Sequence, residues 1–182
     1  MKFMTSIGTA ALALALLSQP AAAADPENTL VITTDHGEID IALRPDLAPN
    51  HVARIKELAR EGFYDGVVFH RVIDGFMAQT GDPTGTGMGG SDKPDLKAEF
   101  SDEPFERGTV GMARASDPNS ANSQFFIMLA DGDFLNGQYT VVGEVETGMD
   151  VVDQIKKGDP SRNGQVDAPD KMVKVYVAAD KQ

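Results

Sequence analysis

Residues 81–90 read GDPTGTGMGG, and Gly85, Gly87 and Gly90 stand in the spacing G-x-G-x-x-G. That spacing marks a pyrophosphate-binding loop when a strand leads into it and a helix leads out, within a βαβ unit. A weakly apolar strand pattern does precede the glycines. Beyond Gly90 the chain continues SDKPDLKAEF at 91–100, where Pro94 falls too early for a helix whose N-terminus would hold phosphate. The glycines are therefore read as a tight, irregular loop lying close to another strand or to a bound peptide, and the chain is not read as a nucleotide-binding fold.

On either side of this loop the pattern is mostly that of strands. LVITTDHGEIDIAL at 30–43 alternates apolar and polar residues around a turn at Asp35 and His36, with Gly37 supplying positive φ, which predicts a β-hairpin. Further short β-rich runs lie at 67–73, 76–81, 108–114, 123–130, 139–145 and 171–178. Two segments carry helical spacing: 48–62, with Val52, Ile55, Leu58 and Ala59 on one side, and 149–158, with Val151, Val152 and Ile155 on one side and Gly158 as its stop. About eight strands and two helices predict a mainly β fold, a closed eight-stranded antiparallel β-barrel capped by two α-helices. His36 at the turn and His51 in the first turn of the first helix are read as surface residues. His70 is read as a satisfied interior histidine on the strand face opposite Arg71.

The N-terminus has a different character. MKFMTSIGTAALALALLSQPAAAA places Lys2 before an apolar run from Ile7 to Leu17 and ends in small residues, the pattern of a secretory signal peptide over 1–24. The run is about half the length of roughly 20 residues that a membrane span needs. Cleavage there would leave residues 25–182 as one domain, free of the membrane. The chain has no Cys, so it offers neither disulfides nor a lipid-bearing thiol, and its formal net charge is −12. Such a charge, with no basic run to offset it, repels phosphate backbones and argues against nucleic acid and anionic membranes as partners.

Three blocks carry a family resemblance: FHRVIDGFMAQTGDPTGTGMGG (69–90), NSQFFIML (122–129) and LNGQYTVVGEV (135–145). In this order they resemble the signature blocks of the cyclophilin-type peptidyl-prolyl cis-trans isomerases, and the likeness runs from about residue 29 to the C-terminus. The resemblance implies the eight-stranded barrel with an active site on its outer face. It implies Arg71 as the catalytic arginine, with Gln79 and Gln124 orienting the substrate backbone. It implies Phe76, Met77, Phe126 and Leu135 as walls of a proline pocket, types that periodicity alone would assign to the core. Ala113, Phe134 and Tyr139 complete the implied substrate-binding set, and Gly87 to Gly90 would border a neighbouring pocket.

The implied chemistry suits these residue types. Rotation about an X-Pro bond crosses about 18 to 20 kcal/mol, most of it amide resonance. No nucleophile, metal or cofactor is required. A guanidinium that donates toward the prolyl nitrogen favours the twisted amide over the planar one, and arginine's permanent charge and rigid donor fork fit that task better than lysine's mobile, strongly hydrated ammonium. The expected substrates are proline-containing unfolded or partly folded polypeptides, met as a monomer in a bacterial periplasm.

Three positions depart from the best-known eukaryotic pattern: Phe134 for Trp, Tyr139 for His and Arg114 for Asn. Without an indole N–H, cyclosporin is expected to bind weakly. The competing reading from another class is a noncatalytic peptide-binding module using the same groove, which turnover of a prolyl peptide would separate. A hydrolase lacks support, with no G-x-S-x-G elbow and no Cys. Asp131-Gly132-Asp133 lacks the later ligands of a calcium loop, and no two His stand at metal spacing.

Overall fold

The computed structural model describes residues 25–181, so the expected signal segment lies outside the described residues. The hairpin at 30–43 forms as its alternation predicts: β1 (Thr29–Thr34) pairs antiparallel with β2 (Gly37–Leu43), with Gly37 at φ 145°. The remaining strands are β3 (Arg71–Ile73), β4 (Met77–Thr80), β5 (Thr109–Met112), β6 (Phe125–Met128), β7 (Val141–Thr147) and β8 (Lys174–Val177). All pairings are antiparallel, in the spatial order β3-β4-β6-β5-β7-β2-β1-β8.

The expected closed barrel is corrected to a curled half-barrel, because the end strands β3 and β8 do not pair with each other. Their approach is made by extended chain instead. Val68 bridges Lys171, Arg71 bridges Gln165, and Phe69 N–H donates to the Asp170 carbonyl. The segment between these contacts includes Pro169, which has no N–H to give to a continuous ladder.

Two α-helices are present among the described residues, as expected, though with different ends. α1 (Pro49–Arg60) buries Val52, Ile55, Leu58 and Ala59. α2 (Met149–Gln154) stops four residues short of Gly158, because Ile155 turns to extended backbone and buries its side chain. α1 packs against β8, and the Val151 methyl of α2 lies under Gly37 of β2.

The sheet is apolar on both faces. One face carries the main core, including Ile32, Ile41, Phe69, Val72, Ala78, Ile127 and Val142 together with the buried side of α1. The other carries a separate, smaller cluster of Met77, Phe105, Phe126, Met128, Leu135 and Val141. Period-2 alternation sends successive residues of β6 to opposite clusters, Phe125 and Ile127 to one and Phe126 and Met128 to the other, so this strand reads as a continuous apolar run.

One histidine reading is corrected. His51 is fully buried, and its Nδ1 lies 2.6 Å from Glu99 Oε2. Ala48 offers α1 no side-chain cap, and Glu99 supplies one from a distant loop by accepting from the N–H groups of Asn50 and His51. His36 is exposed at the turn, as expected, and sits 3.2 Å from Asp170. His70 is interior, as expected, but neither ring nitrogen has a hydrogen-bond partner, and burial pushes its pKa below the ordinary histidine range.

Candidate active site

Strand register assembles the site. Arg71 on β3 faces Gln79 on β4, Gln79 faces Phe126 on β6, and Phe126 faces Gly111 on β5. These four residues form a row across adjacent strands, on the face that carries the smaller cluster. Residues drawn from 71 to 126 of the sequence thereby come within side-chain reach.

Arg71 is held from two sides. Its Nη1 donates to Gln79 Oε1 at 3.0 Å, its Nε to the Asn163 carbonyl at 3.0 Å, and its Nη2 to Asn163 Oδ1 at 3.0 Å. All three acceptors are neutral, and burial draws the guanidinium pKa downward, although arginine stays protonated. Gln79 Nε2 passes the chain of hydrogen bonds on to Gln124 Oε1 at 2.9 Å, and Gln124 Nε2 donates to the carbonyls of Gly89 at 2.8 Å and Gly87 at 3.2 Å. The two amides are thus linked to each other and to the glycine loop, which explains how amides are accommodated among apolar strand residues.

A small concavity of about 90 Å³ lies on the outer cluster, lined by Phe76, Met77, Gln79, Ala113, Arg114, Phe126, Leu135 and Tyr139. Met77, Phe126 and Leu135 are buried, so the choice between core and pocket dissolves: they belong to a packed cluster whose surface is the pocket. Phe105 stacks on Phe126 at 5.7 Å, and Tyr139 meets both edge-on. A Cβ on Gly111 would lie 2.5 Å from Phe105 and 2.6 Å from Phe126, so a side chain there would displace the pocket floor. Phe134 is 65 % exposed, outside the lining, with its ring 5.4 Å from that of Phe76.

A larger cavity of about 400 Å³ adjoins it and shares Gln79, Ala113 and Arg114. Its wall includes Gly87 to Gly90, the glycine stretch that spacing alone would assign to a nucleotide. The loop is wound around the buried carboxylate of Asp82, which accepts from the N–H groups of Thr84, Thr86, Gly87 and Gly89 and from the Thr84 hydroxyl. Burial alone would raise that carboxyl, but the donors from Thr84, Gly89 and Gly87 outweigh it and hold the pKa at about 2. A Cβ on Gly89 would collide with Asp82 Oδ1, which is why glycine stands there.

Sequence reasoning overlooked Asn163, which has no motif around it and reaches Arg71 from 92 positions away. Its one local signal is a residue type that tolerates the left-handed region, where it sits at φ 54° before Gly164. Asp82 and Glu99 were also missed, since a single acidic residue among 28 carries no distinguishing pattern.

Among the described residues, no group of three or more His, Cys, Asp or Glu is placed to hold a metal ion, and no helix is long and apolar enough to cross a membrane. A family model described as cyclophilin type peptidyl-prolyl cis-trans isomerase/CLD matches residues 29–177. A probable peptidyl-prolyl cis-trans isomerase of Brucella suis is 58% identical across 99% of this chain and 99% of its own length. Peptidyl-prolyl cis-trans isomerase B of Escherichia coli is 42% identical over 72% of this chain and 85% of its own. Among solved structures, a cyclophilin from Hirschia baltica superposes with a TM-score of 0.77 at 30% identity, covering 87% of this chain and 76% of that one. A cyclophilin-type isomerase from Cryptosporidium parvum, crystallised in the presence of the dipeptide Ala-Pro, gives a TM-score of 0.75 at 28% identity, covering 82% and 98%.

Proposed function

The chain belongs to the cyclophilin-type peptidyl-prolyl cis-trans isomerases, enzymes that act on proline-containing polypeptides, and from that premise we propose that the groove beside Arg71 is where it rotates the X-Pro bond. In this reading the apolar concavity of Phe76, Met77, Phe126 and Leu135 receives the proline ring. The peptide carbonyl side then swings while the ring is held. Arg71 donates toward the prolyl nitrogen as it loses conjugation and becomes pyramidal, an interaction stronger in the twisted state than in the planar one. Gln79 and Gln124 fix the guanidinium from one side and offer amide groups to the substrate backbone. The observation that carries the reading is the adjacency of a tethered arginine, with no carboxylate among its acceptors, to a small concavity whose lining includes Phe76, Met77, Phe126 and Leu135.

The biological setting belongs to the same proposal. The apolar run and small residues of 1–24 support export with cleavage after Ala24, and the acidic, cysteine-free remainder suits a monomeric folding helper in a bacterial periplasm. Its clients there would be unfolded or partly folded exported polypeptides. The same charge argues against nucleic acid and anionic membranes as partners.

The test is the cis-to-trans rate of a short Ala-Pro-Phe reporter peptide, with Arg71→Ala run beside the unaltered protein. The expected result is acceleration by the wild type and a fall of roughly 100- to 1,000-fold in kcat/KM for the variant, the scale of losing one transition-state donor. Arg71 is partly exposed and rests on neutral acceptors, so the variant should still unfold cooperatively near the wild-type temperature. Equal activity in the two proteins would remove the catalytic role. A folded wild type with no turnover would instead leave a peptide-binding module.

A further inference from the structure

The chain has seven arginines in a background of 28 acidic and 16 basic residues. Five of them, Arg44, Arg54, Arg60, Arg107 and Arg162, lie within 4 Å of a carboxylate. Among the described residues, Arg71 and Arg114 do not, and both stand at the groove. Arg71 is accounted for by the reaction. Arg114 is not.

Arg114 is fixed without being neutralised. Its Nη1 donates to the Ala115 carbonyl at 2.9 Å and its Nη2 to the Gln138 carbonyl at 3.0 Å, while its Cζ lies 4.4 Å above the centre of the Tyr139 ring. Nε is covered and has no acceptor. Of five N–H donors, this leaves one on each terminal nitrogen free. Carbonyls and an aromatic face hold a guanidinium in place while leaving its full charge to be answered from outside.

The position of that charge is informative. Arg114 lines both the small concavity and the larger cavity, whereas the acidic residue of the site, Asp95, lines only the larger one and already accepts from Asn122 Nδ2 at 3.0 Å. The cation therefore stands at the boundary and the anion away from it. In an extended peptide, side chains on one face recur every second residue, about 6.6 to 6.8 Å apart. A proline ring in the small concavity accordingly presents the side chain two residues away to the larger cavity, beside Arg114.

We propose that Arg114 is a specificity-determining residue, which makes the larger cavity a receptor for a carboxylate side chain two residues from the substrate proline. The proposal rests on the placement of proline in the small concavity. The selectivity is local, since the net charge of the whole chain repels acidic peptides at long range.

The experiment measures kcat/KM for reporter peptides carrying Glu, Gln, Ala or Lys either two residues before or two residues after proline. At one of these positions Glu should exceed its isostere Gln by about three- to tenfold, the range of a partly exposed, charge-assisted contact, with Lys poorest. Arg114→Gln should bring the Glu:Gln ratio close to one, Arg114→Lys should restore part of it, and Asp95→Asn should widen it by removing the like charge. A wild-type ratio near one at both positions overturns the proposal, and so does a ratio that survives Arg114→Gln. If no peptide is turned over, including the Ala reference, the isomerase reading fails. The same ratios taken from dissociation constants then decide the Arg114 proposal separately.

Discussion

Arg71 has five N–H donors, and the protein's own acceptors take three of them, leaving one on each terminal nitrogen for a substrate. Two of the three tethers come from Asn163, so this asparagine sets where the guanidinium points. Asn163→Gly keeps the left-handed backbone and its carbonyl while deleting Oδ1. We expect kcat to fall about tenfold with KM little changed, because a loosened catalytic group loses rate before it loses affinity. Steady-state kinetics on the reporter peptide checks this, and an unchanged kcat would make Asn163 a bystander. At this scale the sequence was legible where motifs were dense: Arg71, Gln79, Gln124 and Phe126 fall within signature blocks and are brought together by the fold. It misled at His51, which a helix-start position suggests is solvated. Whether a first-turn residue is buried depends on what crosses over it, and here that is the loop bearing Glu99.

The glycine loop at 81–90 is an element organised by one buried carboxylate. Asp82 has its folded pKa depressed from 3.8 to about 2, so the ionised form is favoured in the native state. Its contribution is complete above the unfolded value near pH 4 and disappears as pH falls through about 2. The linked stabilisation is on the order of 2 kcal/mol. Asp82→Asn cannot accept from all these N–H groups, since its amide nitrogen would face donors. Chemical denaturation at pH 7 should show the variant less stable by about that amount, and the gap should narrow toward pH 2. A gap constant with pH would show that the charge is not what holds the loop. The other elements were legible in kind but not in extent. The predicted strand at 67–73 shrinks to Arg71–Ile73, and the predicted helix at 149–158 ends at Gln154. Periodicity reports which residues are buried, and Val67 and Ile155 are buried. It does not report whether their backbone pairs with a neighbour, which depends on chain far away in sequence.

For the whole molecule, the consequence of an open half-barrel is that β1 depends on β8. β1 lies between β2 and β8, and loss of β8 would uncover its hydrogen-bonding edge along Leu30, Val31, Ile32 and Thr33. A chain ending at residue 170 would also lose the buried Met172, Val175 and Val177. We expect such a truncation to aggregate or lose its cooperative thermal transition, as an exposed apolar edge strand with a breached core should. Light scattering and a melting curve decide it, and a soluble, cooperative truncated protein would show that the last strand is dispensable. By itself the sequence determined that this is a mainly β chain of eight strands and two helices. It also determined that residues 81–90 are not a nucleotide loop and that Arg71 and its block neighbours are the candidate site. The first two conclusions rest on local chemistry, namely alternation, turn residues and a misplaced proline, and the third on blocks that resemble the cyclophilin signature. Only the tertiary structure decided that the sheet stays open between β3 and β8, and that Phe126 and Met77 serve core and pocket at once. It alone brought Asn163 to Arg71 and left Arg114 without a carboxylate. Each of these is a relation between segments brought together by folding, and no local pattern encodes which distant residue will arrive or which partner will be missing.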